Sequence, residues 1–107
     1  MVVSVSELKE HLRIQHDEED TYIAALLAQA QAAASDFCRV NFDQETTTDS
    51  DGNTVAYVVP EPVRLAIMLM ASFYYENRDI PDMTTYKAMR MAFDSLLYPH
   101  RDISQMF

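Results

Sequence analysis

Between Leu65 and Tyr75 only Ser72 is plainly polar. At helical spacing such a run leaves no face for water. Pro62 sits where the first helical turn has no use for an N–H, and Glu76-Asn77-Arg78 closes the segment with charge. The pattern predicts one helix within residues 60–78. Val63, Ala66, Ile67, Met70, Phe73 and Tyr74 form one stripe of it; Leu65, Met68, Leu69, Ser72 and Tyr75 form much of the other. A single packing partner cannot satisfy both stripes. The helix is therefore either the centre of a bundle or an element with one face against another subunit.

Three further helices follow from the same reasoning. Ser4-Val-Ser-Glu7 has capping-box spacing, and Val5, Leu8 and Leu12 follow on one face, so a short helix is expected over about 5–13. Asp17-Glu-Glu-Asp20 supplies negative charge to the start of a second helix, about 18–39. Ile23, Leu26, Leu27, Ala30, Ala34, Phe37 and Cys38 recur along it at helical spacing, and its seven alanines between Ala24 and Ala34 allow close approach of a neighbour. After Asp79-Ile-Pro-Asp-Met83 breaks the third helix, Thr84 or Thr85 caps a fourth, about 85–98. Tyr86, Met89, Phe93, Leu96 and Leu97 lie on one face of it, and Pro99 stops it. Between the second and third helices the period changes. Phe42–Thr48 and Thr54–Val59 flank Asp49-Ser-Asp-Gly-Asn53, which reads as a β-hairpin turning at Gly52. The expected fold is mainly α: a small bundle of about four helices with one β-hairpin inserted between helices two and three. Residues 1–101 form a single domain, and 102–107 a short C-terminal docking tail carrying Ile103, Met106 and Phe107.

Composition narrows the function by exclusion. A single glycine, Gly52, leaves no Gly-rich phosphate loop. Asp49-Ser-Asp-Gly-Asn53 resembles part of a calcium loop, but neither register places a glutamate at the twelfth position. His11, His16 and His100 make no metal-ligand spacing, and the serines stand in no nucleophile motif. No catalytic residue, metal or cofactor is expected, and the chain reads as a non-enzyme. Cys38, the lone cysteine, falls in an apolar pattern and is expected to be a buried free thiol in a reducing, cytoplasmic compartment. No signal peptide is visible, and the apolar run is shorter than the about 20 residues that cross a bilayer. Seventeen acids against eight bases give a net charge of −9. That disfavours binding to nucleic-acid phosphates and suits either plain solubility or a duct past which DNA slides.

Order and spacing together carry a resemblance. Val5-Ser-Glu-Leu-Lys-Glu-His-Leu-Arg-Ile14, the acids Asp17–Asp20 and the Ile-Ala-Ala-Leu-Leu helix are similar to the N-terminal half of the head–tail connector (adaptor, head-completion) proteins of tailed bacteriophages. Val59-Pro-Glu-Pro-Val-Arg-Leu-Ala-Ile67, Tyr74-Tyr-Glu-Asn-Arg78 and Leu96-Leu-Tyr-Pro-His-Arg101 resemble the second half; His100 departs from the family pattern next to Arg101. The resemblance implies a homo-oligomeric ring of about a dozen subunits. Such a ring docks beneath the portal protein at the head–tail junction of the virion, extends the DNA channel and receives a tail-side head-closure protein. DNA is then passing cargo, no membrane is involved, and assembly occurs in the host bacterial cytoplasm. Arg78 and Arg101, which end the two later helices, and Ile103, Met106 and Phe107 are the expected partner-binding residues. The rival reading from another class is an acidic DNA mimic that inhibits a DNA-binding protein; a small regulatory dimer is a third.

Overall fold

Ser4 starts the first helix as its spacing requires. Its Oγ accepts from the Glu7 N–H at 3.1 Å, and the Glu7 carboxylate accepts from the Ser4 N–H at 3.5 Å. In the computed structural model, which describes residues 2–77 and 82–101, the helix α1 spans Val5–Leu12 and α2 spans Asp20–Cys38. Both end on an arginine in the left-handed region, Arg13 at φ 60° and Arg39 at φ 58°. That geometry lets the Ile14 N–H reach the Lys9 carbonyl (2.9 Å) and the Val40 N–H reach the Ser35 carbonyl (3.3 Å), closing each helix end. Glycine usually fills such positions, but this chain spends its only glycine elsewhere.

The acidic run does not all join α2. Only Asp20 lies in the helix, and Glu19 stands at its N-cap without a side-chain capping bond. Asp17 turns back instead to the Lys9 ammonium.

The hairpin is shorter than the sequence pattern suggests. β1 (Thr46–Thr48) pairs antiparallel with β2 (Thr54–Ala56), Thr47 opposite Val55. Every strand residue is exposed. Phe42, expected in the first strand, is instead in the core at 3% exposure. A bare hairpin offers an aromatic ring no cover, whereas the bundle does. At the tip, Asp49 Oδ1 accepts from the N–H groups of Asp51 (3.0 Å) and Asn53 (2.9 Å), and Gly52 takes φ +85°.

α3 spans Glu61–Glu76 with Pro60 at its N-cap, and α4 spans Met83–Leu97. The α4 cap is Asp82 and neither threonine expected from the sequence. Its carboxylate accepts from the Thr85 N–H and hydroxyl, both at 3.4 Å, and a negative charge there also suits the helix dipole. A 3₁₀ turn, Tyr98–His100, carries Pro99 after α4.

α3 lies between α2 and α4 and packs on both, while α1 closes against α2 and α3. Val63, Ala66 and Ile67 of α3 are fully buried against Ile23, Leu27, Phe93 and Leu97 of the same core. This is the four-helix architecture with an inserted hairpin that the pattern predicts. Among the described residues, no helix is long and apolar enough to cross a membrane.

Candidate assembly surfaces

The two stripes of α3 have different fates. Val63, Ala66, Ile67, Met70 and Phe73 face the core. On the other stripe Leu65 remains 52% exposed, and Met68 and Leu69 are half-buried. With His11 of α1 and Leu96 of α4 these three side chains wall a depression of about 220 Å³. A second depression, of about 410 Å³, shares His11 and Leu69 with the first and runs on between α3 and α4 past Phe73, Met89, Ala88, Thr85 and Glu76. The two adjoin at His11 and Leu69, and both are lined mainly by apolar side chains. Ser72, assigned to the outer stripe by spacing, is buried at 8% exposure, and its Oγ has no hydrogen-bond partner among the described residues.

Arg101 ends the described chain. Its guanidinium lies 5.5 Å from the Phe37 ring centre and 5.1 Å from that of Tyr98, a stacked arrangement for which arginine is well suited. Phe37 belongs to α2, so Arg101 ties the end of the bundle to that helix. Beneath it the Cys38 thiol donates to the Leu97 carbonyl at 3.6 Å. Burial pushes this thiol above its ordinary value, against the smaller opposing pull of Arg101. That disfavours the reactive thiolate and matches the buried free cysteine expected from the sequence. α3 ends at Glu76 with Asn77 as its cap. Arg78, Ile103, Met106 and Phe107 lie outside the described residues.

Three arrangements escaped the sequence reading. Lys9 Nζ bonds Asp17 at 2.6 Å and Asp20 at 2.9 Å, pinning α1 to the start of α2. These bonds raise the lysine above its ordinary value, and the ammonium holds the Asp17 carboxyl below its own. Arg64 pairs with Glu7 of α1 and, at 3.3 Å, with Glu61 one turn back. Gln31 is buried in α2, its Oε1 accepting from the Val2 N–H (2.9 Å) and its Nε2 donating to Asp43 (2.6 Å). Apart from Arg64–Glu61, which are three residues apart, no periodic signal marks such pairs, because each joins different segments of the chain.

The carboxylates nearest to bases are occupied in ion pairs. Among the described residues, no group of three or more His, Cys, Asp or Glu side chains could hold a metal ion.

The helix α3 is apolar on two faces in a small acidic bundle, and a comparison with known families gives this a context. The profile of the phage gp6-like head-tail connector proteins matches residues 2–104. The chain belongs to that family. No curated protein and no solved structure matches it. Membership makes this connector a structural component of a phage virion, associated with other head and tail proteins. It also gives the open face of α3 a context, since a connector must bind neighbours.

Proposed function

We propose that this connector forms a ring of about a dozen copies beneath the portal, extends the DNA channel and receives the tail-side closure protein. One observation carries the reading: α3 buries one apolar stripe and leaves the other open, with Leu65 at 52% exposure. Covering that stripe removes apolar surface from water at roughly 25 cal/mol per Å², which gives copies a reason to associate. The net charge of −9 suits a channel wall that DNA passes without sticking. Residues 1–101 act as the connector domain and 102–107 as its docking tail. Arg78 and Arg101 are contact residues toward a neighbour or the portal, Arg101 from a position already stiffened by Phe37 and Tyr98. Assembly takes place in the host cytoplasm, and the finished ring resides at the head–tail junction.

The test is sedimentation of the purified protein across a concentration series, alone and with portal rings. A ring, or recruitment to portal rings, is expected. A chain that stays small and instead displaces DNA from a DNA-binding protein would establish the acidic-mimic reading. Deleting 102–107 is expected to leave the Tm of the isolated protein nearly unchanged while abolishing attachment to portal-bearing capsids. A large fall in Tm would mean that the tail packs on its own core.

A further inference from the structure

We infer that the outer edge of β1 is a docking strand for an extended, lysine- or arginine-bearing segment of a different protein, which adds to the hairpin as a third strand. The inference does not depend on how copies of this chain associate with one another.

The edge is read from the hairpin's hydrogen bonds. The Asp49 N–H donates to the Asn53 carbonyl at 2.9 Å, and the Tyr57 N–H to the Glu45 carbonyl at 3.0 Å. With Thr47 opposite Val55, the bonded pairs are 45–57, 47–55 and 49–53, and the residues between them turn their backbone groups outward. The N–H and C=O groups of Thr46 and Thr48 therefore face away from β2. Among the described residues, no backbone group outside the hairpin bonds them. Every strand residue is exposed, and no helix packs extensively on either strand. A two-stranded hairpin standing alone in water is at best marginally stable, and a third strand would complete it. The usual guards of an edge are absent: β1 holds no proline or lysine, and its pairing runs without a bulge.

Charge selects the occupant. From Val40 to Val63 the chain carries Asp43, Glu45, Asp49, Asp51 and Glu61 and no lysine, arginine or histidine. Glu45 and Asp49 bracket β1 and, with Thr47 between them, lie on one face of the hairpin. Cations four residues apart on an incoming strand fall opposite both. A second copy does not offer this pattern. Its hairpin repeats the same acids, and its described lysines and arginines all lie on helices or at their ends. Residues 102–107 of the chain itself do not offer it either, since they hold Asp102 and no base.

The test titrates the full-length, isotope-labelled protein with a capped heptapeptide in which lysine alternates with threonine and valine, and with the same peptide carrying glutamate for lysine. Binding is followed by NMR. The lysine peptide is expected to shift the Thr46 and Thr48 amides and to slow their exchange with solvent, and the glutamate peptide to do neither. Thr48→Pro removes one outward N–H while leaving the bonded pairs of the hairpin in place, and is expected to weaken binding about tenfold. Thr48→Val keeps that N–H and is expected to bind as wild type does. Glu45→Gln and added salt are each expected to weaken binding. Equal binding by Thr48→Pro and Thr48→Val would show that the peptide clings to the acids without adding a strand, and would overturn the inference. So would shifts confined to other elements, or no binding of the lysine peptide. Self-association that Thr48→Pro abolishes and Thr48→Val keeps, read by sedimentation, would assign the edge to a second copy and overturn it as well.

Discussion

Placing the same carboxylate on opposite faces of α3 separates folding from assembly. Ile67 is fully buried and Leu65 is 52% exposed. Ile67→Asp forfeits the burial of a whole side chain, roughly 1.5–3 kcal/mol. It also leaves a carboxylate without a partner in the core, at a cost of several kcal/mol more. Together these approach the whole stability of a small domain, about 5–15 kcal/mol. Leu65→Asp loses only the covered half of its side chain, about 1 kcal/mol, and its carboxylate stays in water. Its effect belongs to the neighbour: a ring contact would lose the other half of the leucine and would have to strip water from a charge. Each 1.4 kcal/mol so lost weakens a contact about tenfold. Thermal melts followed by circular dichroism are expected to show Ile67→Asp unfolded and Leu65→Asp folded, its Tm lowered by roughly 4–8 °C. Sedimentation is expected to show Leu65→Asp unable to assemble. A Leu65→Asp protein that still forms rings, or one that fails to fold, would refute the division of α3 into a core face and a contact face.

Other consequences are open to measurement. Arg39→Gly relieves a left-handed residue, worth roughly 1–2 kcal/mol, against about 0.4–1 kcal/mol of added freedom in the unfolded chain. A net gain of about 0.5–1 kcal/mol is expected in denaturant melts, and a loss would show that the Arg39 side chain matters more than its backbone. The Lys9–Asp17 contribution is complete above the unfolded Asp value of about 3.9 and disappears as pH falls through the lowered folded value; on the alkaline side it fades as pH rises through the raised lysine value. The stability difference between wild type and Lys9→Gln is therefore expected to be flat from about pH 5 to 9 and to narrow as pH falls below about 4; a difference that does not narrow on acidification would deny the pairing. Added salt is expected to strengthen assembly, because it screens repulsion between copies that each carry −9. Rings that come apart in salt would show instead that ion pairs through Arg78 and Arg101 hold them.

Periodicity carried the helices because their burial is itself periodic. Val63, Ala66, Ile67 and Met70 read as core in the sequence and are core in the structure. The capping box at Ser4 was equally legible, since both partners lie within one turn. Legibility failed where a residue's surroundings come from elsewhere in the chain. Phe42 looked like a strand residue because β-rich sequence follows it, yet the bundle core claims it at 3% exposure. Val3 and Gln31 gave no signal, although one is fully buried and the other ties the N-terminal strand of chain to the loop at Asp43. The open face of α3 was half legible. Spacing exposed the second apolar stripe of α3, but the walls from His11 and Leu96 arise only from packing.

The distribution of charge explains why an acidic chain would assemble through an apolar surface. Of its scarce bases, Lys9 is engaged with Asp17 and Asp20, Arg64 with Glu7 and Glu61, and Arg90 with Asp94. These pairs join α1 to α2, α1 to α3, and successive turns of α4, so they serve the fold of one copy. Exposed pairs of this kind add little stability individually, but they remove cations from the surface that a neighbour would meet. What remains outside is mostly carboxylate, and carboxylate faces repel both other copies and DNA. Against DNA, that repulsion is useful in a channel. Against other copies it has to be overcome, and the uncovered stripe of Leu65, Met68 and Leu69 is the surface whose burial opposes it. On the proposed ring reading, the same excess of acid that would keep DNA from sticking would favour an apolar contact between copies, and the exposed stripe of α3 is the surface that would supply it.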